Sequence, residues 1–231
     1  MSKKLPIRKK LLIIFLALIL VFAAAVMAAY SWYIHPTGEI MSGLYAVRTH
    51  NNGIPMGNFF ILQMGEKYIA IDAGADNIET EIGLRKLGIQ ADDVTAVFIT
   101  HAHWDHIGSL NIFDNAVIYT GNTENSEFPE ISHQIMPDYG IIELYGMSIQ
   151  CIYSPGHTID SVCYLVDGKY LFVGDLFVTV NDPPPSSPKR FDKDLQLLYR
   201  EKILSIEGVE YVFTGHFGFF KDVRFFRWLW L

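Results

Sequence analysis

Short apolar runs, several of them alternating with polar residues, recur along the chain after residue 40, and this pattern is typical of β-strands. Gly, Asp or Asn stands at most of the breaks between the runs, as expected where strands end in turns. We therefore predict strands at Gly43–Thr49, Asn58–Met64, Tyr68–Ile71, Val94–Thr100, Ala116–Tyr119, Met147–Tyr153, Ser161–Val166, Tyr170–Val173 and Val209–Thr214.

Two other stretches have helical spacing. Asn77–Leu87 and Asp192–Ile206 fit helices, and each is entered at an aspartate that can accept hydrogen bonds from the free N–H groups of the first turn. The mixture of these helices with many strands predicts a β-rich α/β domain. Asn181–Arg190 contains four prolines and is predicted to be a loop, because proline is excluded from core strands and helix interiors.

The beginning of the chain has a different character. No charged residue occurs between Leu11 and Ile34. At about 1.5 Å per residue, a helix over this segment is longer than the roughly 30 Å hydrocarbon core of a bilayer. We predict an uncleaved signal-anchor helix over residues 11–34. A cleaved signal peptide with its site near Ala23–Ala25 is the alternative, but the apolar run is longer than such peptides usually have.

The distribution of charge predicts the topology of this anchor. Residues 1–10 contain five lysines and arginines, so the positive-inside rule places them in the cytoplasm and places everything after residue 35 outside it. We therefore expect a single-pass membrane protein whose main domain, residues 35–218, lies outside the cytoplasm.

Composition limits the classes of function. The chain has 231 residues, half of them apolar, which is enough for one sizeable core. Residues 31–231 hold 13 of the 18 basic residues and all 25 acidic residues, a net charge of −12, so we expect no nucleic-acid partner. Cys151 and Cys163 could form a disulfide in an exported domain, but buried thiols are the favoured interpretation.

The strongest chemical signal follows the predicted strand at Val94–Thr100. His101, His103, Asp105 and His106 stand within six residues. In an extended segment His101 and His103 point to the same side, and a turn just beyond can direct Asp105 and His106 toward a second point. Imidazole and carboxylate are typical ligands of catalytic zinc. One short loop could therefore supply two neighbouring metal ions.

This His-x-His-x-Asp-His run at a strand end resembles the signature of the metallo-β-lactamase superfamily. Four further elements are similar to that family's landmarks and occur in the same order, so that the resemblance covers about residues 38–218. They are Asn58–Phe60 with Ile71–Gly74, Ser154–Thr158, Phe172–Asp175 and Phe213–His216.

The resemblance implies an αββα sandwich with a metal site at one edge of its two sheets. It also implies that one metal is held by His101, His103 and His157, that the second is held by Asp105, His106 and His216, and that Asp175 bridges the two. Asp105 is in addition the candidate catalytic residue. We expect two divalent ions, with zinc favoured and iron or manganese as alternatives. Asp72, Thr100 and Thr158 are candidates to orient the imidazoles, although turn or strand-end roles are favoured for the two threonines.

The implied activity is hydrolysis of an ester, thiolester or lactone by a metal-bound hydroxide. His103 stands where the oxygen-reducing di-iron branch of the family usually has an acidic residue, which disfavours electron transfer. Asp175 disfavours a β-lactamase, since those enzymes usually lack the bridging carboxylate. Phosphodiester hydrolysis and β-lactam hydrolysis remain alternatives. A non-catalytic binding module is disfavoured because all seven ligand positions are present. His35, His50 and His133 match no ligand position and are interpreted as surface or loop histidines.

The tail, residues 219–231, is rich in aromatic and basic residues. Phe219, Val223, Phe226 and Trp230 are spaced by four, three and four residues and predict one stripe of a helix. Packing of this helix on the protein's own sheet is the favoured interpretation. The alternative is a helix in the membrane interface, which would suit an amphiphilic substrate rather than a water-soluble small molecule.

Overall fold

The computed structural model describes residues 6–33, 35–51, 53–122, 124, 126, 128–177 and 192–221, with the side chains of 23, 24 and 26–33 outside that description. The proline-rich segment 181–190 and residues 222–231 of the tail therefore lie outside the described residues. The chain divides into two compact units, residues 1–33 and residues 34–231. The first unit contains one helix, α1 (Ile7–Tyr33), whose large apolar side chains between Ile7 and Phe22 are exposed.

The predicted anchor segment is thus helical. Over the part of the chain that the structure describes, however, no helix has both the length and the apolar character that crossing a membrane requires. The membrane span predicted for residues 11–34 is not confirmed, and it stays a prediction together with its topology.

The second unit contains two sheets over its described residues. The first has seven strands in sequential order, antiparallel from β1 to β4 and parallel from β4 to β7. They are β1 (Gly38–Met41), β2 (Leu44–Asn51), β3 (Ile54–Met64), β4 (Lys67–Ile71), β5 (Val94–Phe98), β6 (Val117–Thr120) and β7 (Gln134–Ile135).

The second sheet has six strands, which are antiparallel except for the parallel pair β11 and β12. They are β8 (Ile141–Leu144), β9 (Met147–Tyr153), β10 (Val162–Val166), β11 (Tyr170–Phe172), β12 (Tyr211–Thr214) and β13 (Gly218–Phe220). The helices of this unit are α2 (Asn77–Lys86), the one-turn α3 (Trp104–Ile107) and α4 (Lys193–Leu204), with short 3₁₀ turns at Ala91–Asp93 and Leu110–Ile112.

Aspartates begin the two longer helices, as predicted. Oδ1 of Asp76 accepts hydrogen bonds from the backbone N–H groups of Ile78 and Glu79 at 3.0 and 3.1 Å. Oδ1 of Asp192 accepts one from Leu195 N at 2.9 Å. Each cap satisfies N–H groups that have no partner within the helix, which accounts for where α2 and α4 begin.

Three apolar layers define the order of the elements. The central layer packs the two sheets face to face, and it includes Phe60 of the first sheet with Phe172 and Phe213 of the second. The outer face of the first sheet packs with Leu84 of α2, and the outer face of the second packs with Ile203 of α4. Each sheet is therefore covered on both faces, and the predicted α/β sandwich of two sheets flanked by helices is confirmed.

Aromatic rings hold the sheets together near their centre. Phe172 and Phe213, on adjacent parallel strands, stack with their centroids 4.6 Å apart, and Phe60 meets Phe213 edge-on at 5.2 Å. Tyr164 is fully buried, and its hydroxyl donates to the backbone oxygen of Ile99 at 2.9 Å. This hydrogen bond links β10 to the end of β5, directly before the loop with the clustered histidines.

The cysteines behave as buried thiols. Cys151 and Cys163 are free and have no exposed surface. In the ladder Cys163 stands opposite Ile152 rather than Cys151, so the two thiols project from opposite faces of the second sheet. Burial raises the pKa of both thiols to about 12.

The hydrophobic pattern did not indicate three short edge strands, and at the start of the tail it predicted a helix where the structure has a strand. β1, β7 and β8 have two to four residues and no buried side chain, so they lack the apolar run that marked central strands of similar length such as β11 and β12. Phe219 was predicted to begin a helix. It belongs instead to β13, where it pairs with Phe213 of β12. Gly218, with a φ of 69°, lets the chain turn back onto the free edge of β12.

The aromatic contact between the sheets makes a testable prediction. Phe60→Ala should lower the free energy of unfolding by about 3–5 kcal/mol, because it leaves a cavity between two stacked rings and the facing strand. Urea unfolding of the full chain, followed by near-ultraviolet circular dichroism, measures the change. Ile54→Ala, at a position 56% exposed on the same strand, is the control and should change stability by about 0.5 kcal/mol or less. Equal effects of the two substitutions would contradict this packing.

Candidate metal centre

The seven predicted ligands lie together at one edge of the two sheets. His101, His103, Asp105 and His106 follow β5, His157 lies on the loop between β9 and β10, and Asp175 and His216 follow β11 and β12. Val173 N donates to Phe213 O at 2.9 Å and Gly215 N donates to Gly174 O at 3.0 Å. These backbone bonds continue the parallel β11–β12 pairing and carry Asp175 and His216 side by side into the site.

The first group consists of three buried imidazoles. Nε2 of His101 and Nε2 of His157 lie 3.0 and 3.1 Å from Nδ1 of His103. Burial, reinforced by the neighbouring imidazoles, lowers the pKa of His101 well below its usual value and lowers the pKa of His103 to about 4. Neutral imidazoles have a lone pair on one nitrogen. Three ring nitrogens facing one point are therefore suited to share a cation.

The second group consists of Asp105, His106 and His216. Oδ2 of Asp105 lies 3.4 Å from Nε2 of His216 and 4.0 Å from Nε2 of His106. Burial lowers the pKa of both imidazoles, but the nearby carboxylates raise it by more. At His106 the main carboxylates are Asp72 and Asp175, and at His216 the main one is Asp175. The pKa of His106 is therefore well above its usual value and that of His216 is raised to about 9.

Asp175 lies between the two groups. Its Oδ2 is 3.0 Å from Nε2 of His216 and 3.4 Å from Nε2 of His157, while its Oδ1 is 3.4 Å from Nε2 of His106. Burial alone would raise the pKa of this carboxyl, but the charges on His216 and His106 hold it well below its usual value. An ionised carboxylate in contact with both groups has the geometry of a bridging ligand.

The donor atoms fit two metal ions. In each group one ligand atom per residue lies within 4.8 Å of all the others, and the first group then includes Asp175. Nε2 of His106 and Oδ1 of Asp175 are buried, face each other at 3.4 Å and have no hydrogen-bond partner among the described residues. An unsatisfied buried polar atom costs about 1–3 kcal/mol, and a cation between these two atoms would remove that cost.

Asp72 orients one imidazole of each group. Its Oδ2 accepts from Nδ1 of His106 at 2.7 Å and from the Thr100 hydroxyl at 2.9 Å, and its Oδ1 accepts from Thr100 N at 2.8 Å. Because the Thr100 hydroxyl donates to Asp72, its oxygen is free to accept from Nδ1 of His101, 3.1 Å away. The Nδ1 protons of His101 and His106 thus point away from the site, and Nε2 of each imidazole faces it.

Other contacts that position the ligands had no signal in the sequence. Nδ1 of His216 donates to the backbone oxygen of Met56, and Asp160 Oδ2 accepts from Ala102 N at 3.0 Å. Thr158, considered as an orienting residue, instead hydrogen bonds to Ser161 at 2.7 Å. A backbone oxygen is present at every position, so residue types could not have indicated the first of these contacts.

The first part of α4 holds two of the site's loops. Nε2 of Gln196 and Nε of Arg200 donate to the backbone oxygen of Leu176, the residue after Asp175, at 2.8 and 2.7 Å. Asp192 N donates to Gly156 O at 2.8 Å. A Cβ at Gly156 would lie 2.4 Å from the backbone of Gln196, so only glycine permits this approach.

Comparison with known proteins adds independent information. The sequence model of the family described as metallo-beta-lactamase superfamily matches residues 53–216. Metallo-beta-lactamase domain-containing protein 1 of Xenopus laevis is 29% identical over 145 residues, which cover 61% of each protein. The hydroxyacylglutathione hydrolase of Glaesserella parasuis serovar 5 (strain SH0165) is 40% identical over 85 residues, which cover 35% of this chain and 34% of that enzyme. The chain thus matches less than two thirds of either relative.

Solved structures show the same fold. The crystal structure of a metallo-beta-lactamase family protein from Thermus thermophilus superimposes with a TM-score of 0.66 at 18% identity, covering 80% of this chain and 77% of that one. At this identity the likeness concerns the fold alone.

The role of Asp72 can be tested by removing its charge. Asp72→Asn should weaken metal binding about 10- to 100-fold, because an amide has one acceptor oxygen where the carboxylate accepts three hydrogen bonds. Asparagine also tolerates the φ of 64° at this position. Competition with a chelator measures the affinity, and Asp92→Asn, the same change in a 3₁₀ turn away from the site, is the control. Unchanged affinity in Asp72→Asn would show that the carboxylate does not position the ligands.

Metal uptake should release protons. Near pH 7.5 the raised pKa values keep His106 and His216 protonated, whereas His101 and His103 are already neutral. Since a ligand nitrogen must lose its proton, binding of two ions should release about two protons. Calorimetric titration in buffers of different ionisation enthalpy counts them. Release should fall as the pH rises through about 9, where His216 deprotonates before the metal binds. Release that stays constant over this range would contradict the assignment.

Proposed function

Because the chain belongs to the metallo-beta-lactamase superfamily, a family of hydrolases, we propose that it hydrolyses an ester, thiolester or lactone with the help of two divalent metal ions. The observation that carries the proposal is the pair of buried, facing atoms, Nε2 of His106 and Oδ1 of Asp175, which make no hydrogen bond within the described part of the chain and lie at the junction of two ligand groups. A binding module without metal chemistry would have no use for this arrangement.

The residues would share the ions as follows. His101, His103 and His157 would hold one, Asp105, His106 and His216 the other, and Asp175 would contact both. Two adjacent divalent cations, zinc above all with this mixture of ligands, make a water more acidic and polarise the bond that the water attacks. The αββα frame keeps the ligands in place, since every ligand loop is tied to a strand or helix by backbone hydrogen bonds.

The site is open on one side. The side chains of Asp105 and His216 are 13% and 21% exposed, whereas those of His101, His106 and Asp175 are 5% exposed or less. A substrate therefore approaches over Asp105 and His216. In this proposal Oδ2 of Asp105 takes the proton of the attacking water, and the leaving alcohol or thiol takes it up as its bond to the carbonyl carbon breaks.

Acyl substrates are favoured over phosphodiesters and β-lactams. Support comes from the carboxylate at position 175 and from the relative named hydroxyacylglutathione hydrolase. That match covers about a third of the relative, so it supports the reaction class and leaves glutathione itself as one substrate to be tried among others.

Substitution of the ligands tests the proposal. Purified protein loaded with zinc should contain about two metal equivalents by elemental analysis, and His103→Ala should lose metal and activity together. Asp175→Ala should reduce turnover of a thiolester by about 100-fold or more, because one carboxylate serves both ions.

His133→Ala, which removes an imidazole away from the site, is the matched control and should keep both metal and turnover. Protein that binds no transition metal under loading conditions would exclude the dinuclear mechanism. Near-normal turnover by a folded Asp175→Ala variant would place the bridge elsewhere.

A further inference from the structure

A cavity of about 300 Å³ is lined by Trp104, the residue between the predicted ligands His103 and Asp105, and none of the chemistry above uses it. We call it the Trp104 cavity. Its three walls are the tip of the β2–β3 hairpin, the start of α2 with the loop before it, and the indole of Trp104. The lining residues used below are His50, Asp76, Ile78, Glu79 and Trp104.

Each wall is joined directly to the metal-bearing loops. Trp104 stands between two ligands, His103 and Asp105, in sequence. The loop before α2 is held by a hydrogen bond from Ala73 N to His106 O at 2.7 Å. The hairpin is held because Asn58 N donates to Gly215 O at 2.7 Å, next to His216. The cavity is therefore built on the same segments that carry the predicted metal ligands.

The charges around the cavity are mainly negative. Asp76 and Glu79 line it, and the described lining residues include no lysine or arginine. His50 is the one lining side chain that can become cationic, and its Nδ1 lies 3.3 Å from Oε2 of Glu79. Two carboxylates against one imidazole give the lining a net negative charge, so a carboxylate or phosphate entering the cavity would be repelled.

Apart from Asn51, the rest of the lining is apolar, and its two large side chains are exposed. Trp104 is 43% exposed and Ile78 is 68% exposed, although both lie beside a site whose ligands are almost all buried. An indole face next to carboxylates suits an alkyl chain, and it attracts a cationic group at the end of such a chain. The lining thus combines an apolar surface with a negative potential.

We propose that the Trp104 cavity binds the acyl chain of the substrate and selects for the charge at its far end. A cationic end is bound best, an uncharged alkyl end next, and a carboxylate end worst. The inference rests on the proposed acyl hydrolysis and adds to it a class of substrate. It disfavours thiolesters whose acyl group ends in an acid.

The experiment compares three thiolesters of one uncharged thiol. They are the hexanoyl thiolester, its counterpart with a terminal trimethylammonium group, and its counterpart with a terminal carboxylate. With the zinc-loaded full chain, kcat/KM should fall in the order cationic, neutral, anionic, with about tenfold between the first and the last. The difference should lie mainly in KM, because the charged end is remote from the reacting carbonyl.

Substitution of Glu79 locates the selectivity. Glu79→Gln should reduce the tenfold ratio to about threefold, and Glu79→Lys should reduce it to about one, because the lysine then balances the charge of Asp76. Glu81→Gln makes the same charge change on the same helix outside the cavity, and it should leave the ratio unchanged. Trp104→Phe should raise KM for all three thiolesters with unchanged metal content, which separates lost contact from a damaged metal loop.

A second measurement does not depend on turnover. Non-hydrolysable amide analogues of the three substrates should bind the full chain in the same order by calorimetry. Hydrolysis without charge selectivity, or a ratio that Glu79→Lys leaves unchanged, would overturn the cavity assignment and leave the hydrolase intact. If none of the thiolesters is hydrolysed, the proposed activity fails, and the amide affinities still decide whether the cavity selects charge.

Discussion

The ionised carboxylate of Asp175 is the interaction on which the site depends. Five imidazoles converge at the sheet edge, and burial of the protonated ones, His106 and His216, would be prohibitive without compensation. Asp175 contacts imidazoles of both groups, while Asp72 and Asp105 balance His106 from its other sides. The result is an asymmetric pair of sites. In the first group His101 and His103 are neutral and suited to accept a cation, whereas in the second His106 and His216 hold protons.

The sandwich provides the rigidity that this balance needs. Ligand atoms must stay within a few ångströms of each other, and small displacements would replace attraction with unsatisfied buried charge. Gly215 shows how closely the loops approach: a Cβ there would lie 2.5 Å from Oδ1 of Asp175. Stacked aromatic rings between the sheets and the Tyr164 hydrogen bond to Ile99 fix the strands from which the ligand loops emerge.

Our two proposals place the chemistry and the selection of the substrate at the same edge of the sheets. Asp105 and His216 are the partly exposed members of the ligand set, and Trp104 extends the metal-bearing loop into a neighbouring cavity with acidic walls. In our proposals, adjacent residues of one short segment, His103 to Asp105, would serve both the reaction and the recognition of the substrate. The substrate proposed for such a site has an apolar chain and no terminal negative charge.

The ligand set was predictable because much of it is local. The spacing of His101, His103 and His106 places three ligands within six residues, and apolar alternation located the strands of three residues or more that form the centre of both sheets. Helix starts were equally local, since Asp76 and Asp192 cap the turns that follow them. These features depend on neighbouring residues, whose types the sequence states directly.

Only the tertiary structure decided which distant groups meet these residues. The hydrogen bond from His216 to Met56 uses a backbone oxygen, and every residue has one, so no residue type announces it. The Trp104 cavity is formed by three segments that are remote in sequence, and β13 exists because the free edge of β12 offers backbone partners to Phe219. Such contacts depend on the packing of the whole domain, whereas the ligand spacing and the caps follow from the local chain.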